Sequence, residues 1–345
     1  MASTGERFPD PPGLDLQALA DFMAASCPGL AGGPLRAEVI AGGKSNITYA
    51  VTDGARTWVV RRPPLGHVLA TAHDMGREYR VMSALQGTAV PVPAMIAMCT
   101  DVDLMGQPFY LMEWVNGRAY RQAGELVPLG PERTRSIAER MVDVLLDLHA
   151  VEPGSVGLAD FGRPAGFLAR QVRRWQQQLD ASATRDLPRA AELARMLAAE
   201  VPPDAPAAIV HGDYRLDNLL VDADDQVRAV VDWEMATLGD PLTDLALLYV
   251  YLRLATVGNA IADAMSAPGF LGPDQVLERY VQRSPRDASR MGFYLGLAFF
   301  KLAVIVEGIN RRYVEGKTVG DGFGDVGVLV DPLIEEGIAA MEEDR

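Results

Sequence analysis

The run His211-Gly212-Asp213-Tyr214-Arg215-Leu216-Asp217-Asn218, followed fourteen residues after Asn218 by Asp232, holds the side chains that phosphoryl transfer needs. A carboxylate at Asp213 can orient a hydroxyl or receive its proton, because a loose transition state demands alignment more than base strength. An amide oxygen at Asn218 and a carboxylate at Asp232 are hard donors suited to magnesium (Mg2+). That ion takes few protein ligands and completes its shell with water and phosphate. Arg215, two residues beyond Asp213, is a candidate to neutralise a transferring γ-phosphate; a contact to the acceptor or to solvent is an equal alternative. His211 is expected to order the loop by hydrogen bonding. Asp244, at a helix start, is expected to accept backbone N–H groups and hold the loop in shape.

These groups need elements to position them. Residues 207–210 form an apolar run into the loop and 218–221 a run out of it, while Asp224-Asp225 reads as a turn and 226–231 as the return strand. The resulting hairpin is expected to bring Asp232 to the loop. Upstream, residues 14–26 carry a helical apolar stripe stopped by Pro28-Gly29, and 35–40, 46–52 and 56–62 read as antiparallel strands, with Asp53-Gly54 as one hairpin turn. Residues 71–86 are helical, with Met75, Glu78, Met82 and Leu85 on one face. A carboxylate on an apolar stripe needs a cation, and Arg61 is the candidate, with Arg62 able to exchange roles with it. A structural ion pair with no nucleotide role is the plainer alternative for Arg61 and Glu78.

Between two of these strands lies Ala41-Gly42-Gly43-Lys44-Ser45-Asn46. Glycines at Gly42 and Gly43 let backbone N–H groups approach phosphate oxygens, with Ser45 and Asn46 beside them, although a plain turn fits the same letters. A strand over 108–115 ends at Asn116-Gly117, where the division is placed: residues 1–115 as a nucleotide-binding lobe with a leading helix, 116–345 as a catalytic and acceptor-binding lobe. Helices are expected at 131–150, 164–179, 188–201, 242–254, 273–282, 287–313 and 330–342. Strands first and helices later predict an α+β chain of two lobes.

HGDYRLDNLL with VVDWEMATLGDPLTDLA resembles the aminoglycoside phosphotransferase family, whose fold is that of the protein kinases. The stretches VRRPP (60–64), REYRVM (77–82) and PFYLMEWVNG (108–117) resemble more narrowly the kinase-like domain attached to some animal acyl-CoA dehydrogenases. The likeness covers roughly residues 35–330, and it implies a bilobal, protein-kinase-like fold, ATP and magnesium as cofactors, and a hydroxyl acceptor. It implies that Arg61 stands where protein kinases place a phosphate-gripping lysine, with Glu78 as its helix partner, and that 113–115, Glu113 to Val115, form the connector whose backbone meets adenine. The HRD and APE signatures of protein kinases are absent, so a small-molecule acceptor is expected: an aminoglycoside, a hydroxyacyl-CoA ester or another alcohol. A nucleotide-binding, pseudokinase-like regulator with little turnover is the alternative from another class, and a metal-dependent phosphate hydrolase a third.

Composition narrows the partners. The chain has 345 residues, 49% hydrophobic and 23% charged, enough for an ordered core spread over two lobes. A net charge of −14 argues against a nucleic-acid or anionic-membrane partner. Cys27 and Cys99 have no metal-ligand spacing, and His67, His73 and His149 no partner spacing. Residues 1–12 show no basic start with an apolar core, so a cytoplasmic location is expected. The apolar stretch 293–309 carries Lys301 and Glu307 and is expected to be a buried helix. Nothing in the letters bears on oligomeric state.

Overall fold

A computed structural model describes residues 9–40, 46–65, 74–256, 262–317 and 326–343. In chain order the elements are α1 (Leu16–Ser26), β1 (Arg36–Val39), β2 (Ile47–Thr52), β3 (Thr57–Arg62), α2 (Met75–Leu85), β4 (Met95–Cys99), α3 (Val102–Met105), β5 (Phe109–Glu113), α4 (Ala123–Leu126), α5 (Pro131–Ala150), α6 (Phe167–Ser182) and α7 (Pro188–Ala199). There follow β6 (Ala208–Val210), β7 (Leu219–Val221), β8 (Val227–Val230), β9 (Thr237–Gly239), α8 (Leu242–Thr256), α9 (Pro273–Arg283), α10 (Met291–Val314) and α11 (Val330–Glu343). The sum is a small antiparallel sheet and a larger helical part, an α+β chain.

Two compact units divide these elements, Met1–Arg118 with Leu219–Met235, and Ala119–Asn218 with Ala236–Arg345. A single division at 116 does not describe them, because the first unit also takes back the β7–β8 hairpin. Backbone hydrogen bonds tie that hairpin in: Arg118 and Val221 exchange N–H groups at 2.8 and 3.0 Å, and Val230 N–H donates to the Pro91 carbonyl at 2.8 Å. A glycine is needed at position 117, since a Cβ there would lie 2.9 Å from Leu220 Cβ.

In the first unit the sheet order is β1-β2-β3-β5-β4, antiparallel throughout. Strand β4 was missed by the sequence reading. Side chains on β3 alternate between faces. Trp58 and Val60 join Tyr49, Val51, Phe109, Leu111, Leu14 just ahead of α1, and the α1 residues Leu16, Leu19 and Met23 in one core. Arg62 shares that parity, and its guanidinium donates to the Gly13 carbonyl beneath α1. It therefore cannot exchange roles with Arg61. Asp15 caps α1 by accepting from Gln17 and Ala18 N–H, and Leu19 is fully buried. Leu19→Ala should cost roughly 2–5 kcal/mol.

The second unit is built around α10, which packs on α6, α7, α8 and α11. By length and composition α10 could cross a membrane, but most of its apolar surface is buried inside this unit, as for a core helix. Its buried Glu307 accepts from Thr184 N–H at 2.7 Å and from Arg185 at 3.1 Å, fixing the turn after α6. Strand β6 pairs with β9, a strand the sequence reading also missed, and the two flank the segment that carries Asp213.

Candidate functional site

Strand register assembles the first cluster, within the first unit. Arg61 on β3 faces Tyr110 on β5, and α2 packs on β4 and β5 with Glu78 fully buried. The Arg61 Nε lies 3.1 Å from Glu78 Oε2, and a terminal nitrogen of the same guanidinium is paired with Asp232 Oδ1. Glu78 also accepts from Tyr110 Oη at 2.9 Å and from Asn46 Nδ2 at 2.9 Å. Burial works against charge on Arg61, yet Tyr110, Glu78 and Asp232 outweigh it and hold its pKa above the ordinary arginine value. Burial pushes the Glu78 carboxyl up, while Arg61 pulls it back. Arg61 is thus a permanent cation bridging two carboxylates.

Asp232 follows β8 with φ at +66°, a left-handed conformation rare outside glycine. Such backbone strain persists only where its surroundings over-determine it, and it gathers at functional positions. Trp233 helps to hold it, its indole N–H donating to the Val230 carbonyl at 2.9 Å. Asn46, expected at a phosphate cover, is buried, with its amide donating to Glu78 and, at 3.4 Å, to Glu234. Gly42, Gly43 and Ser45 lie outside the described residues, as do His67 and His73. Glu113 and Ala94 join β5 to the approach of β4: Glu113 Oε1 accepts from Ala94 N–H, and Glu113 N–H donates to the Ala94 carbonyl, both at 2.9 Å. Val115 follows β5 and is partly buried.

The second cluster lies in the second unit. His211-Gly212-Asp213 leaves β6 and turns sharply, with Gly212 at φ +83°, where any side chain would be strained. Asp244, in the first turn of α8, accepts from His211 N–H at 2.7 Å and Gly212 N–H at 2.8 Å, as the sequence led one to expect. Burial acts to raise the Asp244 pKa, but His149, His211 and the Gly212 amide together bring it below the usual carboxylate range. His149, which has no partner spacing in the sequence, is nonetheless part of this anchor. Buried on α5, it meets Tyr280 Oη at 2.6 Å and Asp244 Oδ2 at 3.3 Å. His211 Nδ1 in turn receives Asp213 N–H at 3.3 Å.

Asp213 itself is held on both oxygens. Tyr251 Oη donates to Oδ1 at 2.5 Å, and Asn218 Nδ2 donates to Oδ2 at 3.2 Å and to the Asp213 carbonyl at 2.9 Å. Both amide donors of Asn218 thus stay within its own loop, and its oxygen is the atom a cation would take. Arg215 lies 3.5 Å from Asp213 Oδ2 and 3.0 Å from Asp217 Oδ2, with its guanidinium over the Tyr251 ring. Two residues the sequence reading overlooked complete the cluster: Tyr251, on α8, and Lys301, on α10, whose ammonium donates to the Gly212 carbonyl at 2.9 Å and lies over Trp175. Burial lowers the Lys301 pKa, with Asp213 and Asp244 opposing.

Among the described residues no group of three or more His, Cys, Asp or Glu is placed to hold a metal. A divalent cation at either cluster would therefore rely on sparse oxygen donors, together with nucleotide phosphates and water. That sparse donor set fits magnesium better than zinc.

"Acyl-CoA dehydrogenase family member 11" of Gallus gallus is 34% identical over 338 residues, 94% of this chain but 43% of the chicken protein, so the chain spans less than half of that relative. A crystal structure from Ralstonia eutropha, of a protein assigned by name to the aminoglycoside phosphotransferases, superposes with a TM-score of 0.83 at 34% identity, covering 95% of this chain and 98% of that one. The aminoglycoside phosphotransferase APH(4)-Ia, in complex with ADP and hygromycin B, shares the fold at a TM-score of 0.58 and 16% identity, over 88% and 94% of the two chains. The profile of the phosphotransferase enzyme family matches residues 36–279, and the chain belongs to that family.

Proposed function

We propose that the chain is a small-molecule kinase moving the γ-phosphate of ATP, in the presence of magnesium, to a hydroxyl. The observation that carries this reading is the Asp213 carboxylate, held at both oxygens by Tyr251 and Asn218 on a loop anchored by Asp244. So held, Asp213 aligns the acceptor hydroxyl and takes its proton as the bond to phosphorus forms and the bond to the β-phosphate oxygen breaks. Asn218 and Asp232 are the proposed metal ligands, and the ion, when bound, would draw charge from the phosphate oxygens. Arg61, kept charged and in place by Glu78, supplies positive charge beside Asp232. Gly42, Gly43 and Ser45 are the proposed phosphate cover, and the connector from Glu113 to Val115 the proposed adenine edge.

The acceptor reading rests on charge. Lys301 and Arg215 flank the Asp213 segment, and Arg174 stacks with Lys301 on Trp175. Cations beside the transfer point disfavour a polycationic aminoglycoside and favour an alcohol with an anionic group, such as a hydroxyacyl-CoA ester. The test is phosphate transfer from ATP to hydroxybutyryl-CoA and to kanamycin, with magnesium or with chelator. Magnesium-dependent phosphorylation of the thioester alone is expected; phosphorylation of kanamycin alone would reverse the acceptor assignment. A regulator with little turnover is the second reading, favoured by the commitment of Arg61 to two carboxylates. It predicts a magnesium-dependent thermal shift with ATP and no transfer to either acceptor.

A further inference from the structure

Helix α8 grips the Asp213 loop at two points. Asp244 and Tyr251 are seven residues apart, two turns along one face, about 10 Å of helix. The first holds the amides of His211 and Gly212; the second reaches the side chain of Asp213 itself. A carboxylate has a free torsion about its last carbon–carbon bond, and nothing in backbone anchoring fixes it. The Tyr251 hydroxyl does so, from 2.5 Å, while Asn218 holds the other oxygen at 3.2 Å. Its ring is in turn covered by the Arg215 guanidinium at 5.6 Å, so the donor has little freedom to swing away. Burial and the neighbouring Asp213 charge raise the tyrosine's pKa well above the ordinary value, so the phenol keeps its proton and stays a donor.

We infer that Tyr251 is a positioning residue for phosphoryl transfer, fixing the Asp213 carboxylate in the orientation that meets the acceptor hydroxyl. The inference rests on the assignment of Asp213 proposed above. A short O–H to carboxylate contact predicts a slowly exchanging, far-downfield hydroxyl proton in the NMR spectrum of the full chain. It should vanish in Tyr251→Phe and survive in Lys301→Met. In the transfer assay with ATP, magnesium and hydroxybutyryl-CoA, Tyr251→Phe should lose about 10- to 100-fold in kcat, the scale expected for a misplaced reacting group. The KM for ATP and the thermal midpoint should stay at wild-type values, a split that general loosening of the fold would not give. A wild-type spectrum without the resonance, or Tyr251→Phe with unchanged kcat, overturns the inference alone. Wild-type protein that transfers phosphate neither to hydroxybutyryl-CoA, nor to kanamycin, nor to water overturns the kinase reading and this role with it.

Discussion

Asp213 and Asp232 are both carboxylates in the matched family segment, yet the two units hold them by different physics. Asp232 is tied by a cation, Arg61, which is shared with a buried glutamate, and its own backbone is left-handed. Asp213 is held mainly by donors: a tyrosine hydroxyl and an amide, with the Arg215 guanidinium farther away. A charge pinned by an opposite charge is suited to a fixed electrostatic task. A carboxylate steered by hydrogen bonds keeps its direction, which suits a group that must meet a hydroxyl. The contrast also predicts how each half fails.

The largest effect is expected at the two carboxylates. Asp213→Ala should lower transfer by about a thousandfold while leaving ATP affinity near wild type, whereas Asp232→Ala should also weaken magnesium-dependent ATP binding in calorimetry. Equal losses of affinity in the two variants would erase the distinction. Next comes Glu78→Ala, which leaves the largely buried Arg61 paired with Asp232 and removes an acceptor of Tyr110 and Asn46. A loss of about 3 kcal/mol in denaturant unfolding is expected, since a buried ion-pair network loses one carboxylate and buried donors lose an acceptor. Asp244→Ala should cost about 2 kcal/mol, by orphaning the His211 and Gly212 amides, and should lower kcat together with stability. Stability lost with kcat intact would show that the loop does not depend on its anchor.

The smallest expected effect is one of pH. Burial lowers the Lys301 pKa from 10.5, so between the lowered value and 10.5 the unfolded chain binds more protons than the folded one. Wild-type stability from this group therefore rises with pH through that window. Lys301→Met removes the term, so the midpoint of the variant minus that of wild type should fall as pH is raised from about 7 to 10 in thermal scans. A difference that is flat or grows with pH would show that the ammonium is not desolvated.

Much of this was legible from residue types. Helix α5 has the bounds its Pro131 start and apolar period implied, and the carboxylate of Glu78 on an apolar face pointed to the Arg61 pair. Arg62 could have been set apart from Arg61 by parity alone, since neighbours on a strand face opposite ways. Tyr251 and Lys301 were hidden for a different reason. Both sit in helices apolar nearly all round, α8 and α10, where no polar stripe marks a side chain as aimed at anything. His149 was lost similarly, because its partners come from α8 and α9, 95 and 131 residues away. Strand β9 has three residues, too few for a period, and exists because β6 offers it a pairing edge.

The return of Leu219–Met235 to the first unit has a consequence for synthesis. A nascent chain released from the ribosome tunnel only as far as Arg118 has the five-stranded sheet but neither the β7–β8 hairpin nor the carboxylate that Arg61 binds. Roughly a hundred residues of another unit must emerge before that guanidinium meets its second anion. Until then the Arg61 cation has Glu78 but not Asp232, so this ion-pair network is completed only after the intervening unit has been made.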